Sequence, residues 1–322
     1  MNRKKFFIYP LMAVAPLALG SCSDDEAGDG TGGDTGKDYS PYVTQVLEYR
    51  PAPGQFVNEM PEYEDGDTQE DMNAKALAAI GGNARGLVTL GGYGGYIVCG
   101  FDHTIENVPG EADFKVLGNA FYSSETQAGS TSRLGGSCEP GIVMVAYDRN
   151  KNGKPDDDEW YELAGSEYGK PTTVKGYEIT YQRPAGATLA DIPWTDNQGG
   201  AGYIQRNEYH SQDYWPQWIE DGGLAFSGTL LPPNAVDESG TGTYWVLYAY
   251  DWGYADNRLN TEDESDFDID WAVDGDGNSV DLPGADFIKI YTGVNQQCGW
   301  VGETSTEVMG ITDLHLANQG QW

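Results

Sequence analysis

Along most of this chain apolar side chains recur at every second position in short runs, and clusters of Gly, Asp, Asn and Pro break the runs. Period-two alternation between turn-forming clusters is the pattern of half-buried β-strands. The clearest runs cover residues 96–101, 113–117, 142–147, 160–163, 177–182, 243–250, 287–291 and 314–316. One segment has the helical period instead. Met72, Ala76, Ala79 and Ile80 recur at helical spacing, Asp67-Thr68-Gln69-Glu70 reads as a capping box, and Gly81-Gly82 ends the run. No strand–helix–strand alternation is present, which disfavours a parallel doubly wound sheet, and the lack of a repeat of fixed period disfavours a propeller or solenoid. The expected fold is all-β: an antiparallel two-sheet sandwich of jelly-roll type with one short N-terminal helix and long loops. Beyond Asp38 no linker interrupts the pattern, so residues 39–322 are expected to form a single domain.

The first residues follow another logic. Arg3, Lys4 and Lys5 precede a short apolar stretch, and Leu19-Gly20-Ser21-Cys22 has the small-residue pattern that comes before an acylated cysteine. Residues 1–21 therefore read as a lipoprotein signal peptide and Cys22 as the lipidation site; the alternative is an ordinary secretory signal with a chance cysteine. The acyl chains would supply stable anchoring. Residues 22–38 read as an acidic, Gly/Asp-rich linker, and Ser23-Asp24-Asp25-Glu26 resembles the surface-export signal of lipoproteins in gut-commensal Gram-negative bacteria. The expected location is the outer membrane, facing outward. No other apolar run is long enough for a membrane-spanning helix.

Charge narrows the partners. With 18 Lys and Arg against 51 Asp and Glu, the net charge of −33 excludes a nucleic-acid binder, which needs a basic face. The 44 Gly and 21 Tyr suit a loop-rich β protein and argue against disorder. Cys99, Cys138 and Cys298 remain beside Cys22; export permits one disulfide among them, and spacing does not choose the pair.

The strongest local motif runs from Asp148 to Glu159. Asp148, Asn150 and Asn152 occupy positions one, three and five, Gly153 position six, the Lys154 carbonyl position seven and Glu159 position twelve of a calcium loop. The flanks read as strands, so this would be a calcium loop at a hairpin tip; the alternative is a metal-free Asn-Gly turn. Asp274-Gly275-Asp276-Gly277-Asn278 repeats the start of the formula but lacks the closing Glu, and reads as a turn.

Aromatic residues supply the other clue. Tyr244, Val246, Tyr248, Tyr250, Trp252 and Tyr254 would share one strand face, ending in the polar Asp256-Asn257. Tyr203, Tyr209, His210, Tyr214, Trp215 and Trp218 form a second group, and Trp300 is a further candidate. The expected ligand-binding set is Tyr203, Tyr209, Trp215, Trp218, Trp252, Tyr254, Asp256, Asn257 and Trp300, either as an exposed platform or as packing at the end of a sandwich. No nucleophile elbow, zinc helix or Walker loop is present, so no enzymatic role is expected.

The stretches GGYGGYIVCGFDHTIENVPGEADFKVLGNAF, GGSCEPGIVMVAYD, EWYELAGSEY, IPWTDNQGGAGYI, YAYDWGYADN and DIDWAVDGDGNSVDLPGADFIKIYTGVNQQCGWVGETSTEV resemble a family of surface lipoproteins of gut-commensal Gram-negative bacteria. Within it the chain is similar to the cobalamin-binding, BtuH-type branch encoded with TonB-dependent vitamin B12 receptors. The resemblance implies capture of cobalamin or a related corrinoid as ligand, not cofactor, with a TonB-dependent outer-membrane receptor and a surface lipoprotein as partners. The alternative is a calcium-dependent glycan-binding lipoprotein.

Overall fold

Why the strands associate as they do is clearest in the longest sheet. The computed structural model describes residues 38–123, 133–186 and 189–319; residues 1–37, with the expected signal peptide, Cys22 and most of the linker, lie outside the described residues. The six-stranded sheet orders its strands Gln45–Arg50, Tyr96–Glu106, Gly284–Thr292, Gly141–Ala146, Trp160–Leu163 and Ala272–Val273, all antiparallel. Gly284–Thr292 is buried at seven of its nine positions. Its neighbours on both sides are strands, and both of its faces are covered. Ile288 and Ile290 point with Ile97, Cys99, Val143 and Val145 into one apolar cluster. Tyr291 and Ile142 join a second cluster with Tyr177, Ile179 and Tyr181 of the strand Val174–Gln182. Each such aliphatic side chain removed from water contributes on the order of 1.5–3 kcal/mol.

The helix forms where its period places it. Helix α1 spans Gln69–Ile80, and Met72, Ala76 and Ile80 are its buried positions. Thr68 is the N-cap, and the reciprocal partner is Asp71, one residue beyond the Glu70 of the expected box. Asn73 ties the helix to the edge strand Gln45–Arg50: it accepts from Tyr49 N at 2.8 Å and donates to Leu47 O at 3.0 Å. A sheet edge that would otherwise expose unpaired backbone groups is thereby covered.

The strands do not divide into two facing sheets. Among the described residues they form five sheets of six, four, four, three and two strands, small sheets set in a ring resembling a four-bladed propeller. The expected jelly-roll sandwich is corrected. So is the expectation against a propeller-like arrangement, which rested on the missing repeat. Sheets of unequal size, built from strands distant in sequence, leave no fixed period to find. Alternation tells which face of a strand is covered, and not which strand lies beside it.

Two further expectations change. Residues 314–316 belong to helix α2, Leu314–Gln319, and not to a strand; Asp313 accepts from the backbone of His315 and Leu316 and starts it. The aromatic stripe is broken as well, because the strand covers only Trp245–Tyr248. Past it, Tyr250 and Tyr254 turn into the core and Trp252 stays 38% exposed. Cys99, Cys138 and Cys298 are all free and buried, so no disulfide joins them.

Candidate functional site

Three segments far apart in sequence bring Glu139, Asp256 and Glu307 together, with one carboxylate oxygen from each within 4.8 Å of the others. Backbone pairing sets the arrangement. Gly141 and Ala255 form an isolated bridge with N–H···O bonds of 2.9 Å in both directions, and Glu139 N donates to Asp256 O at 2.8 Å. Glu307 opposes Thr89 in the two-stranded sheet. The Thr306 hydroxyl donates to Glu139 O at 2.8 Å and laces the third segment to the first.

Asp256 has φ 52°, in the left-handed region. A non-glycine residue persists there only where its surroundings hold it. Its Oδ1 accepts from Asn119 N and Ala120 N, both at 2.8 Å, and its Oδ2 accepts from Glu307 N at 3.0 Å. Gly118 makes the approach feasible: a Cβ there would lie 2.4 Å from Asp256 Oδ1.

The electrostatics are one-sided. Asp256, Glu307 and the neighbouring Glu303 are nearly inaccessible, and Glu139 is partly exposed. Burial pushes the Glu139 carboxyl up to about 7, against hydrogen bonds from Ser305 N and the Ser137 hydroxyl that favour its charge. Burial also lifts Asp256 and Glu307 well above the usual carboxylate range, and the Glu139 charge adds to both. Glu303 is pushed up to about 8 by burial, although Gln55 N donates to its Oε1 at 2.6 Å. Among the described residues no Lys or Arg forms an ion pair with any of these four acids. Two buried acceptors, Gln55 Oε1 and Glu303 Oε2, have no hydrogen-bond partner.

Glu139 and Glu307 line a cavity of about 300 Å³ together with Gln55, Ser305, Asn119, Phe56, His210 and Val301. Two of these lining residues are followed or preceded in the chain by an exposed ring. Tyr209 precedes His210 and is 67% exposed; Trp300 precedes Val301 and is 56% exposed. Their rings meet edge to face at 6.5 Å. Asn207 Nδ2 donates to Trp300 O at 2.5 Å, and Trp300 Nε1 donates to Thr243 O at 3.3 Å, which fixes the indole. The cavity is rich in acceptors, and this exposed ring pair, the aromatic lips, adjoins two of its lining residues, His210 and Val301, in the chain.

The expected ligand-binding residues are dispersed. Tyr209 and Trp300 form the lips, and Asp256 joins the acidic cluster. Tyr203 is 56% exposed on the strand Ala201–Ile204, with no ring contact to the lips among the described residues. Trp215 and Tyr254 are core residues, 1% and 2% exposed. Trp215 Nε1 donates to Ile219 O, and Tyr254 Oη accepts from Glu167 N. Trp218 stacks on Tyr49 at 5.6 Å and donates to Gln69. Trp252 packs on Trp271 at 4.7 Å. Asn257 is fully buried and closes a turn on the Tyr250 backbone. Trp215, Tyr254 and Asn257 are buried and make the packing and hydrogen-bond contacts just given.

The loop from Asp148 to Glu159 is closed by its own hydrogen bonds. Asp148 accepts from Asn152 N and Gly153 N, and Asn152 Oδ1 accepts from Lys154 N. Glu159, 2% exposed, accepts from Arg149 N at 2.9 Å and Asp156 N at 3.1 Å. The Asp274–Asn278 segment is a turn in which Asp274 Oδ1 accepts from Asp276 N and Asn278 N. A cleft of about 750 Å³ is lined by Gly153, Lys154, Tyr96, Trp160 and Lys289, and none of the expected ligand-binding residues lines it.

Sequence reading did not single out Glu139, Glu303, Glu307 or Gln55. The signal available was weak: CEPG and GETSTE each set an acid among small residues and turn formers, and 51 acids dilute it. No known protein family matches the chain, and no curated protein matches it.

Proposed function

We propose that this chain is an outward-facing lipoprotein, held to the outer membrane through Cys22, that captures cobalamin or a related corrinoid without chemical change and passes it to a TonB-dependent receptor. The observation that supports the reading is the exposed pair of aromatic rings, Tyr209 and Trp300, each next in the chain to a residue lining a cavity that Glu139 and Glu307 also line. A corrinoid is broad and flat, with an apolar ring edge and primary-amide arms. Its edge would lie on the lips, and one amide arm would donate to Glu139 or Glu307. A cavity of about 300 Å³ takes a side arm and not the whole macrocycle. The same size favours a second reading, a glycan-binding lipoprotein, in which one sugar ring stacks on Trp300 and its hydroxyls donate to the acids.

Titration calorimetry of the full chain with cyanocobalamin, alongside retention on polysaccharide gels, separates the two. The corrinoid reading expects binding at or below roughly micromolar Kd, weakened at least roughly tenfold in a Tyr209→Ala/Trp300→Ala double variant, since a well-packed ring carries about 1.4 kcal/mol or more of an interface. Retention on a polysaccharide, with no heat from cyanocobalamin, would replace it by the glycan reading.

A further inference from the structure

We infer that Glu139, Asp256 and Glu307 form a binding site for a hard divalent cation, best suited to Ca²⁺, distinct from the Asp148–Glu159 loop. The inference goes beyond ligand capture and stands without it. Its first support is geometry: three carboxylate oxygens from three separate segments lie within 4.8 Å of one another. A cation with bonds of about 2.3–2.6 Å to oxygen spans that spread. The second support is independent of the cluster. Gln55, 6% exposed, lines the same cavity as Glu139 and Glu307, and its Oε1 has no hydrogen-bond partner. A buried amide oxygen left without a donor costs free energy; a cation in the cavity would accept its lone pair.

Each acid here accepts hydrogen bonds from N–H or O–H groups, which hold its oxygens in place. Among the described residues no Lys or Arg pairs with the three acids, so their oxygens are not taken up by a protein cation. The donors are all oxygen, which selects Ca²⁺ or Mg²⁺ over Zn²⁺. Mg²⁺ demands a tighter octahedron, whereas Ca²⁺ accepts carboxylates and amide oxygens in irregular sets. The left-handed backbone at Asp256 is then explained as the conformation that brings its carboxylate to the other two.

The test uses the full chain stripped with EDTA and titrated with CaCl₂ by calorimetry, with metal counted by elemental analysis and the melting temperature followed in parallel. The expected result is a Ca²⁺ site that raises the melting temperature and is weakened roughly 100-fold, as loss of a ligand demands, in Glu307→Gln and in Glu139→Gln. The wild-type titration decides the matter even if Glu307→Gln fails to fold, and Glu139→Gln, at the partly exposed cavity wall, gives a second variant. Asp148→Asn should leave this site intact. No Ca²⁺ uptake by the wild type would overturn the inference and leave shared protons as the neutralising charge. Uptake abolished by Asp148→Asn but unchanged in both glutamine variants would overturn it equally, since the metal would then sit in the loop.

Discussion

Replacing Trp215 by Ala distinguishes a core indole from a ligand-facing one. Trp215 is 1% exposed, donates from Nε1 to Ile219 O at 3.2 Å, and lies 5.9 Å beneath the Arg183 guanidinium. An aromatic side chain of this size buries on the order of 200 Å², which at about 25 cal/mol per Å² corresponds to ~5 kcal/mol. Measured losses for Trp→Ala in protein cores are about 3–5 kcal/mol, so we expect Trp215→Ala to lower the unfolding free energy by about 4 kcal/mol. With an m-value of about 2–3 kcal/mol/M, the urea midpoint should fall by roughly 1.3–2 M. Trp300, 56% exposed, is the control: Trp300→Ala should stay within about 1 kcal/mol of the wild type. Urea unfolding followed by far-UV circular dichroism reads both variants without relying on tryptophan emission. A loss below about 1 kcal/mol for Trp215→Ala, or equal losses for the two variants, would refute the assignment of Trp215 to the core.

Three other outcomes follow from particular groups. Glu303 has its carboxyl raised from 4.5 to about 8 in the folded chain. The folded state therefore favours the neutral form, and stability is lost as pH climbs from about 4.5 towards 8 with a slope of at most about 1.4 kcal/mol per unit. Glu303→Gln should flatten that slope when urea unfolding is compared at several pH values in EDTA; parallel profiles for the two proteins would be the contrary result. Thr68→Ala removes the N-cap of α1 and should cost about 1 kcal/mol, measured by thermal unfolding, while Thr68→Ser should restore most of it. Asp148→Ala leaves Gly153 N without its acceptor and Asn152 N with only Asn150 Oδ1, in an exposed loop, and should cost about 1 kcal/mol in EDTA; a far larger loss would mean that the loop supports more of the fold than its own turn.

How much of this was readable beforehand depends on the range of the interaction. The helix is an example of the readable kind: Met72, Ala76 and Ile80 are its buried stripe, and Thr68 its cap, because both are set by residues within a few positions of each other. The strand Trp160–Leu163 has the bounds its alternation indicates. The end of the chain shows the limit. Leu314-His315-Leu316 alternates like a strand but turns helical, since Asp313 offers its carboxylate to two backbone N–H groups and the segment is too short for its period to decide.

The sequence by itself determined that this is an acidic β-rich chain with one amphipathic helix. Only the tertiary structure decided which rings face solvent. Trp215 and Trp300 have the same indole, and the one is sealed beneath Arg183 while the other rests on an outer loop. Only the tertiary structure, too, brought Glu139 and Glu307 to Asp256. Their meeting depends on the Gly141–Ala255 bridge and on the pairing of Glu307 with Thr89, contacts between residues more than a hundred positions apart. Local pattern specifies a strand's covered face; partners at that distance are chosen by the packing of the whole chain, which no short window of sequence contains.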